Sequence, residues 1–201
     1  MAGVLVLQLR LPSQVSVGPT WLLPALQAAL LLPLVVTNPV HLRHDHPLLR
    51  VLAVASAAGV MVTNAATLVN LVALLTGGSV LRPAALITSA AVLLVTNVVA
   101  VAVLLWELDR GGPFARDPDH ARSSGPADLL FPQLVGVPSG DPPGWAPGFV
   151  DYLFVAYTMS TAFSPTDTMP LTGRAKLAFM LGASVAMLTF ALVAARAVNL
   201  L

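Results

Sequence analysis

The chain has 201 residues, of which 57% are hydrophobic and only 9% are charged, and its mean hydropathy is +0.84. Soluble domains carry about 25% charged residues, so this composition excludes an ordinary soluble domain and indicates an integral membrane protein. The net charge of +1 offers no attraction for nucleic acid, and the absence of cysteine excludes disulfides, thiolate metal sites and cysteine nucleophiles.

Three apolar runs in the first half of the chain predict transmembrane helices. Residues 1–20 form a short N-terminal lead-in without a signal-peptide cleavage pattern. The first run, Trp21 to Val36, is near the lower limit of about 17 residues for a span. The second run, Leu48 to Leu75, and the third, Pro83 to Trp106, are each long enough to cross a bilayer. Residues 21–108 are therefore predicted to hold three spans.

Charged residues cluster where the third run ends. Glu107, Asp109 and Arg110 follow one another closely there, and ionisable groups at membrane depth are costly unless they are paired or solvated. One interpretation is a charged vestibule or a proton-sensing pair. The alternative is an interfacial cluster, in which Arg110 neutralises one acid and Trp106 anchors the helix.

Residues 109–147 are predicted to form an extramembrane, solvent-exposed loop, because this stretch is rich in Pro, Gly, Asp and Arg. Two clusters, His41–His46 and Asp117–His120, contain His and Asp side chains that could hold a divalent metal. They lack the helical spacing of a metal-binding helix, so hydrated loops are the preferred interpretation and no metal site is predicted.

Residues 148–201 are predicted to form a pore-loop module. The amphipathic segment Phe149 to Ala162 is too short to cross a bilayer, a polar turn follows it, and Lys176 to Leu201 is a full span. A half-span, a polar turn and a full span are the pattern of a re-entrant pore helix with its loop. Backbone N–H and C=O groups outside a helix are tolerated at membrane depth only where they line water or are buried in protein.

The candidate filter follows the half-span directly and comprises Thr161, Ala162, Phe163, Ser164, Pro165, Thr166 and Asp167. In a fourfold assembly, Ser164 and Thr166 would form rings of hydroxyls and Asp167 a ring of carboxylates, which favours cations. The alternative is a closed structural turn, in which Asp167 caps a helix or pairs with Arg174.

Small and hydroxylated residues form a stripe along the last span. Gly182, Ala186 and Thr189 share one face of the last span and are the candidate inner-helix lining of a pore. Close helix packing is the alternative interpretation of such stripes. The triplet Val-Thr-Asn recurs at residues 36–38, 62–64 and 95–97, where hydrogen bonds between helices are expected.

Residues 157–198 resemble the pore module of the two-span potassium channels, whose filter T-V-G-Y-G-D-x-x-P precedes an inner helix with a central glycine. Alignment on Asp167 and Pro170 places Ser164 and Thr166 where that filter has its glycines. Pro165 fixes φ at about −65°, so the same stack of carbonyl rings is not expected. The resemblance implies a pore loop with a degenerate filter.

Most of the chain also resembles an uncharacterised family of actinobacterial integral membrane proteins. Their recurring elements W-E-L-D-R-G-G-P, F-P-Q and A-F-S-P-T-D-T-M-P-L appear here at residues 106–113, 131–133 and 162–171. This resemblance implies no particular activity.

The sequence therefore predicts an all-α, multi-pass protein of the bacterial inner membrane, with four transmembrane helices and one re-entrant pore helix plus loop. One pore loop per chain requires a symmetric assembly, so a homotetramer is expected. The predicted function is a tetrameric pore-loop ion channel that conducts cations. The alternative is a non-conducting scaffold or accessory subunit with a channel-like fold.

The expected partners are the lipid bilayer, further copies of the chain and inorganic ions, with no nucleic acid and no cofactor. Nothing resembles a nucleophile elbow or a zinc-protease helix, so no enzymatic activity is expected. Orientation is left open, because the count of basic residues places the long loop in the cytoplasm whereas the channel resemblance places it outside.

Overall fold

A computed structural model describes residues 47–77, 82–116, 126–135, 145–162, 164 and 167–198. The described chain is mostly helical, and three of its helices are long and apolar enough to cross a membrane. They are α1 (Pro47–Thr76), α2 (Pro83–Leu108) and α5 (Gly173–Val198). These three helices suggest a membrane protein and correspond to the second, third and last predicted spans.

The predicted first span, residues 21–36, and the clusters at residues 41–46 and 117–120 lie outside the described residues. The remaining described elements are short: α3 (Pro113–Arg116), β1 (Leu129–Leu130), α4 (Phe149–Ala162), β2 (Met169–Pro170), and 3-10 turns at Asp109–Gly111 and Pro132–Leu134. The helix predicted from Phe149 to Ala162 is thus present with those bounds.

Helix α2 lies at the centre of the bundle and packs against α1, α4 and α5. Pro83 stands at the start of α2, where its missing N–H costs no helical hydrogen bond. The main core joins the second half of α2 to α4 and α5, and its buried side chains include Val101, Leu105, Tyr152, Val155, Met159, Ala178 and Phe179. The short helix α4 therefore packs against the long helices α2 and α5.

Polar side chains connect the long helices inside the bundle. The Thr96 hydroxyl of α2 donates to Asn64 Oδ1 of α1 at 3.1 Å, and Asn97 Nδ2 donates to the Gly182 carbonyl of α5 at 2.9 Å. Both pairs involve the Val-Thr-Asn triplets, so the expected hydrogen bonds between helices are confirmed for residues 62–64 and 95–97.

The chain turns sharply where α2 ends. Arg110, Gly111 and Gly112 have positive φ angles of 51°, 90° and 99°, a region that glycine adopts more readily than other residues. This left-handed turn directs α3 back toward the last turn of α2, so that Arg116 contacts Trp106.

A short antiparallel ladder connects the long loop to the segment before α5. Leu129 pairs with Pro170 and Leu130 pairs with Met169. Leu129 and Phe131 are buried, and the Phe131 ring contacts Trp145 and Tyr152. The prediction of a solvent-exposed loop is wrong for these residues, because their apolar side chains cover the end of the bundle.

Candidate functional site

Helix α4 enters the bundle at one end of α2 and finishes beside its middle. At the start of α4, the rings of Phe149 and Tyr152 contact Trp106 edge-on, with centroids 5.8 and 5.4 Å apart. At its end, Ser160 and Thr161 border a groove that is also lined by Leu94, Val95, Val98 and Val99, near the middle of α2. At β2 the chain is again at the C-terminal end of α2, because β2 pairs with β1 and the Leu129 N–H of β1 donates to Asp109.

The candidate filter is described in part. Thr161 is exposed and its hydroxyl donates to the Tyr157 carbonyl at 2.9 Å, while Ala162 is the last residue of α4. Ser164 and Asp167 are exposed. Phe163, Pro165 and Thr166 lie outside the described residues.

Among the described residues, Asp167 neither caps a helix nor pairs with Arg174. Arg174 Nε and Nη2 instead donate to the two carboxylate oxygens of Asp128 at 2.7 and 2.6 Å. At the start of α5, the Thr172 hydroxyl accepts the Ala175 N–H at 3.4 Å, which is the capping interaction of that helix. The Asp167 carboxylate is consequently left on the surface of the chain.

Asp109 is a buried acceptor rather than a vestibule charge. Its side chain is 0% exposed, and Oδ1 accepts the N–H groups of Asp128 and Leu129 at 2.7 and 3.2 Å. Oδ2 accepts the Tyr152 hydroxyl at 2.6 Å. Three hydrogen bonds offset the cost of removing the carboxylate from water.

Arg116 covers the carbonyl end of α2. Its Nη1 donates to the carbonyl oxygens of Trp106 and Asp109 at 2.9 and 2.6 Å, and its guanidinium lies 4.5 Å from the Trp106 ring centre. A cation at a helix C-terminus is favourable, and the ring adds a cation–π contact. Burial lowers the pKa of Arg116 from its usual value.

Asp128 forms a second buried carboxylate site next to the first. It accepts the Thr172 hydroxyl as well as the two Arg174 bonds, and Arg174 also donates to the Leu108 carbonyl at 3.2 Å. We call these two groups, Asp109 with Tyr152 and Asp128 with Thr172 and Arg174, the aspartate clasp. The aspartate clasp connects the end of α2 and the residue before β1 to the first turn of α4 and the start of α5.

The other two candidate vestibule charges, Glu107 and Arg110, are partly buried. The Glu107 carbonyl accepts Arg50 Nε at 3.1 Å, which connects the end of α2 to the first turn of α1. The sequence interpretation missed Asp128 and Arg116 altogether. The signature from Trp106 to Pro113 pointed to Asp109, but no spacing rule connects it to residues so far along the chain.

The three candidate pore-lining residues of α5 face the other helices of the same chain. Gly182, Ala186 and Thr189 are all buried, and a Cβ at Gly182 would lie 2.7 Å from Val101 Cγ2 and 2.8 Å from Met159 Cε. This placement corresponds to the packing interpretation of the stripe. The exposed face of α5 is mainly apolar and includes Leu177, Met180, Leu181, Ser184, Met187 and Leu188.

An apolar groove of about 590 Å³ runs between α2 and α4. Its walls are mostly aliphatic and aromatic, and they include Val95, Val98, Phe154, Tyr157, Thr161 and Phe190. Ser160 also lines the groove, and its hydroxyl has no hydrogen-bond partner within the part of the chain that the structure describes.

Within the described residues, no three His, Asp or Glu side chains come together in a way that could hold a metal ion. Comparison of the chain with protein-family models, with curated proteins and with solved structures finds no match.

Proposed function

We propose that this protein is the subunit of a homotetrameric pore-loop channel that conducts cations across the bacterial inner membrane. The observation that carries this proposal is the path of residues 149–170: α4 starts at the C-terminal end of α2 and ends beside its middle, and β2 lies at the C-terminal end again. In a membrane, a segment with this path would enter and leave on one side, as a re-entrant helix with its loop does.

The dimensions support this path. Fourteen residues of α-helix measure about 21 Å, which is less than the thickness of about 30 Å of the hydrocarbon core. The polar residues after Thr161 would then begin inside the membrane, where they need water or protein around them. A water-filled pathway on the symmetry axis of a tetramer satisfies that requirement.

Asp167 supplies the charge preference of the proposed pathway. Its carboxylate is exposed, while the nearby Arg174 is bound to Asp128. Four copies of Asp167 would form an acidic ring, which attracts cations and repels anions. Because Ser164 and Thr166 stand where glycines would be needed for a carbonyl-lined filter, the diameter of the opening would set selectivity among cations.

Ion flux in liposomes tests the proposal. We expect purified protein to pass monovalent cations, and we expect Asp167→Asn to lower the cation-to-anion permeability ratio several-fold because the ring loses its charge. Asp167→Glu, which keeps the charge, is the matched control and should retain most of the preference. Absence of flux under every cation gradient would contradict a channel and favour the non-conducting scaffold.

The assembly is a separate test. Mass measurement in detergent and in lipid nanodiscs should give four copies, since one loop per chain has to close around an axis. A monomer or a dimer in both environments would contradict a central pore.

A further inference from the structure

We propose that the groove between α2 and α4 is a contact site for a second copy of this chain, and that it receives the exposed face of the neighbour's α5 around Ser184. This inference rests on the cyclic assembly proposed above and adds the surfaces that form it. Two observations support it: an unsatisfied hydroxyl beside the groove, and an exposed hydroxyl at the same depth on α5.

The first observation is the hydroxyl of Ser160. Hydroxyls near it on α4 donate to carbonyls one turn earlier, as Thr158 does to Phe154 and Thr161 to Tyr157. Ser160 is only 1% exposed, yet its Oγ has no partner among the described residues. A hydroxyl without a partner is costly in an apolar environment, so a polar group is expected to enter the groove.

The second observation is Ser184 on α5. It is exposed at mid-helix and is surrounded by the exposed apolar side chains of Met180, Leu181, Met187 and Leu188. A helix face of this kind presents one polar group on an apolar surface. That is the complement of an apolar groove with one unsatisfied hydroxyl.

The two serines lie at nearly the same depth. Helices α4 and α5 both start at the end of the bundle that carries the aspartate clasp, and Met159 reaches the position of a Gly182 Cβ. Ser160 is one residue beyond Met159 and Ser184 two beyond Gly182, which is about 1.5 and 3 Å along the two helices. Rotation about an axis along the membrane normal preserves depth, so a neighbour brings Ser184 to the level of Ser160.

A second copy fits these observations better than a lipid chain does, because an acyl chain offers no hydrogen-bond partner at this depth. The proposed contact joins two different surfaces, so it is heterologous. Repeated contacts of this kind close into a ring when the rotation permits.

Disulfide cross-linking tests the contact, and the natural chain contains no cysteine that would interfere. The groove residue Thr161 and the α5 residue Ser184 are both exposed. In membranes treated with a mild oxidant, a chain carrying both Thr161→Cys and Ser184→Cys should form a ladder of covalent oligomers that ends at four copies. The bond requires Cβ atoms about 3.5–4.5 Å apart, so it reports contact rather than proximity.

The matched control pairs Thr161→Cys with Leu177→Cys. Leu177 lies on the same exposed face of α5, but seven residues earlier, or about 10 Å away in depth, so it should give no ladder. Each single cysteine should likewise give none. An equal ladder from the control, or none from the Thr161 and Ser184 pair, would contradict the contact.

A second pair guards against a variant that fails to fold. Tyr157→Cys and Met180→Cys each lie four residues before the first pair, so the same contact predicts a ladder from this pair too. A ladder without ion flux would support the interface and contradict the channel. Flux without a ladder from either pair would contradict this interface and leave the channel proposal in place.

Discussion

At the scale of single residues, two buried carboxylates determine how the ends of the helices meet. Asp109 and Asp128 are both 0% exposed, and each accepts three hydrogen bonds. The donors to Asp109 are two backbone N–H groups and Tyr152, and the donors to Asp128 are Thr172 and two nitrogens of Arg174. A buried carboxylate is stable only when such bonds replace its water, and loss of one donor leaves an unsatisfied oxygen. The aspartate clasp should therefore respond strongly to small changes.

Replacement of Tyr152 by Phe tests this dependence. The variant removes only the hydroxyl, which leaves Asp109 Oδ2 without its donor, and we expect a loss of about 1–3 kcal/mol of stability. The midpoint of thermal unfolding in detergent measures the effect. Tyr157, the only other tyrosine, is exposed, so Tyr157→Phe is the control and should change the midpoint little. Equal shifts in the two variants would contradict the clasp.

At the scale of helices, the small-residue stripe of α5 permits close packing. Gly182 has no side chain, so Val101 of α2 and Met159 of α4 occupy the space beside it, and its carbonyl accepts Asn97. Small residues allow helix backbones to approach closely in a membrane, where packing drives association. Gly182 thus fixes how α4 sits between α2 and α5.

Gly182→Ala should weaken this packing. Its methyl group would lie under 3 Å from two side chains, and overpacking of this kind costs about 1–3 kcal/mol. Gly59→Ala is the control, since a Cβ on Gly59 meets nothing within 4 Å and alanine favours a helix. Thermal unfolding should show a lower midpoint for Gly182→Ala and an equal or higher one for Gly59→Ala. A Gly182→Ala protein as stable as the parent would show that α4 is loosely held.

At the scale of the whole molecule, the aspartate clasp, the β1–β2 ladder and the start of α4 lie at one end of the bundle. Several basic residues at this end are used in internal contacts: Arg116 is buried, Arg174 binds Asp128 and Arg50 binds a carbonyl of α2. The positive-inside rule counts every basic residue in a loop. Here that count includes arginines that make internal contacts as well as those that face the membrane surface. For a channel of the proposed kind, this end is extracellular.

Labelling of single cysteines tests the orientation. Gln133 is exposed at the clasp end, and Thr76 is exposed at the other end, where α1 finishes. We expect a membrane-impermeant maleimide to label Gln133→Cys in intact spheroplasts and to label Thr76→Cys only after the membrane is opened. The reverse pattern would place the long loop in the cytoplasm and contradict the proposed direction of the pore loop.

Hydropathy and length, which are local properties of the chain, predicted the three long apolar helices and the helix from Phe149 to Ala162. The tertiary structure decided which surface each polar residue faces. Arg174 could have paired with Asp167, seven residues away, but it binds Asp128, forty-six residues away. The strand pairing of Leu129 with Pro170 brings Asp128 there, and no local pattern encodes that pairing. Likewise, the periodicity of Gly182, Ala186 and Thr189 revealed a shared helix face, whereas only packing against α2 and α4 showed that this face is internal.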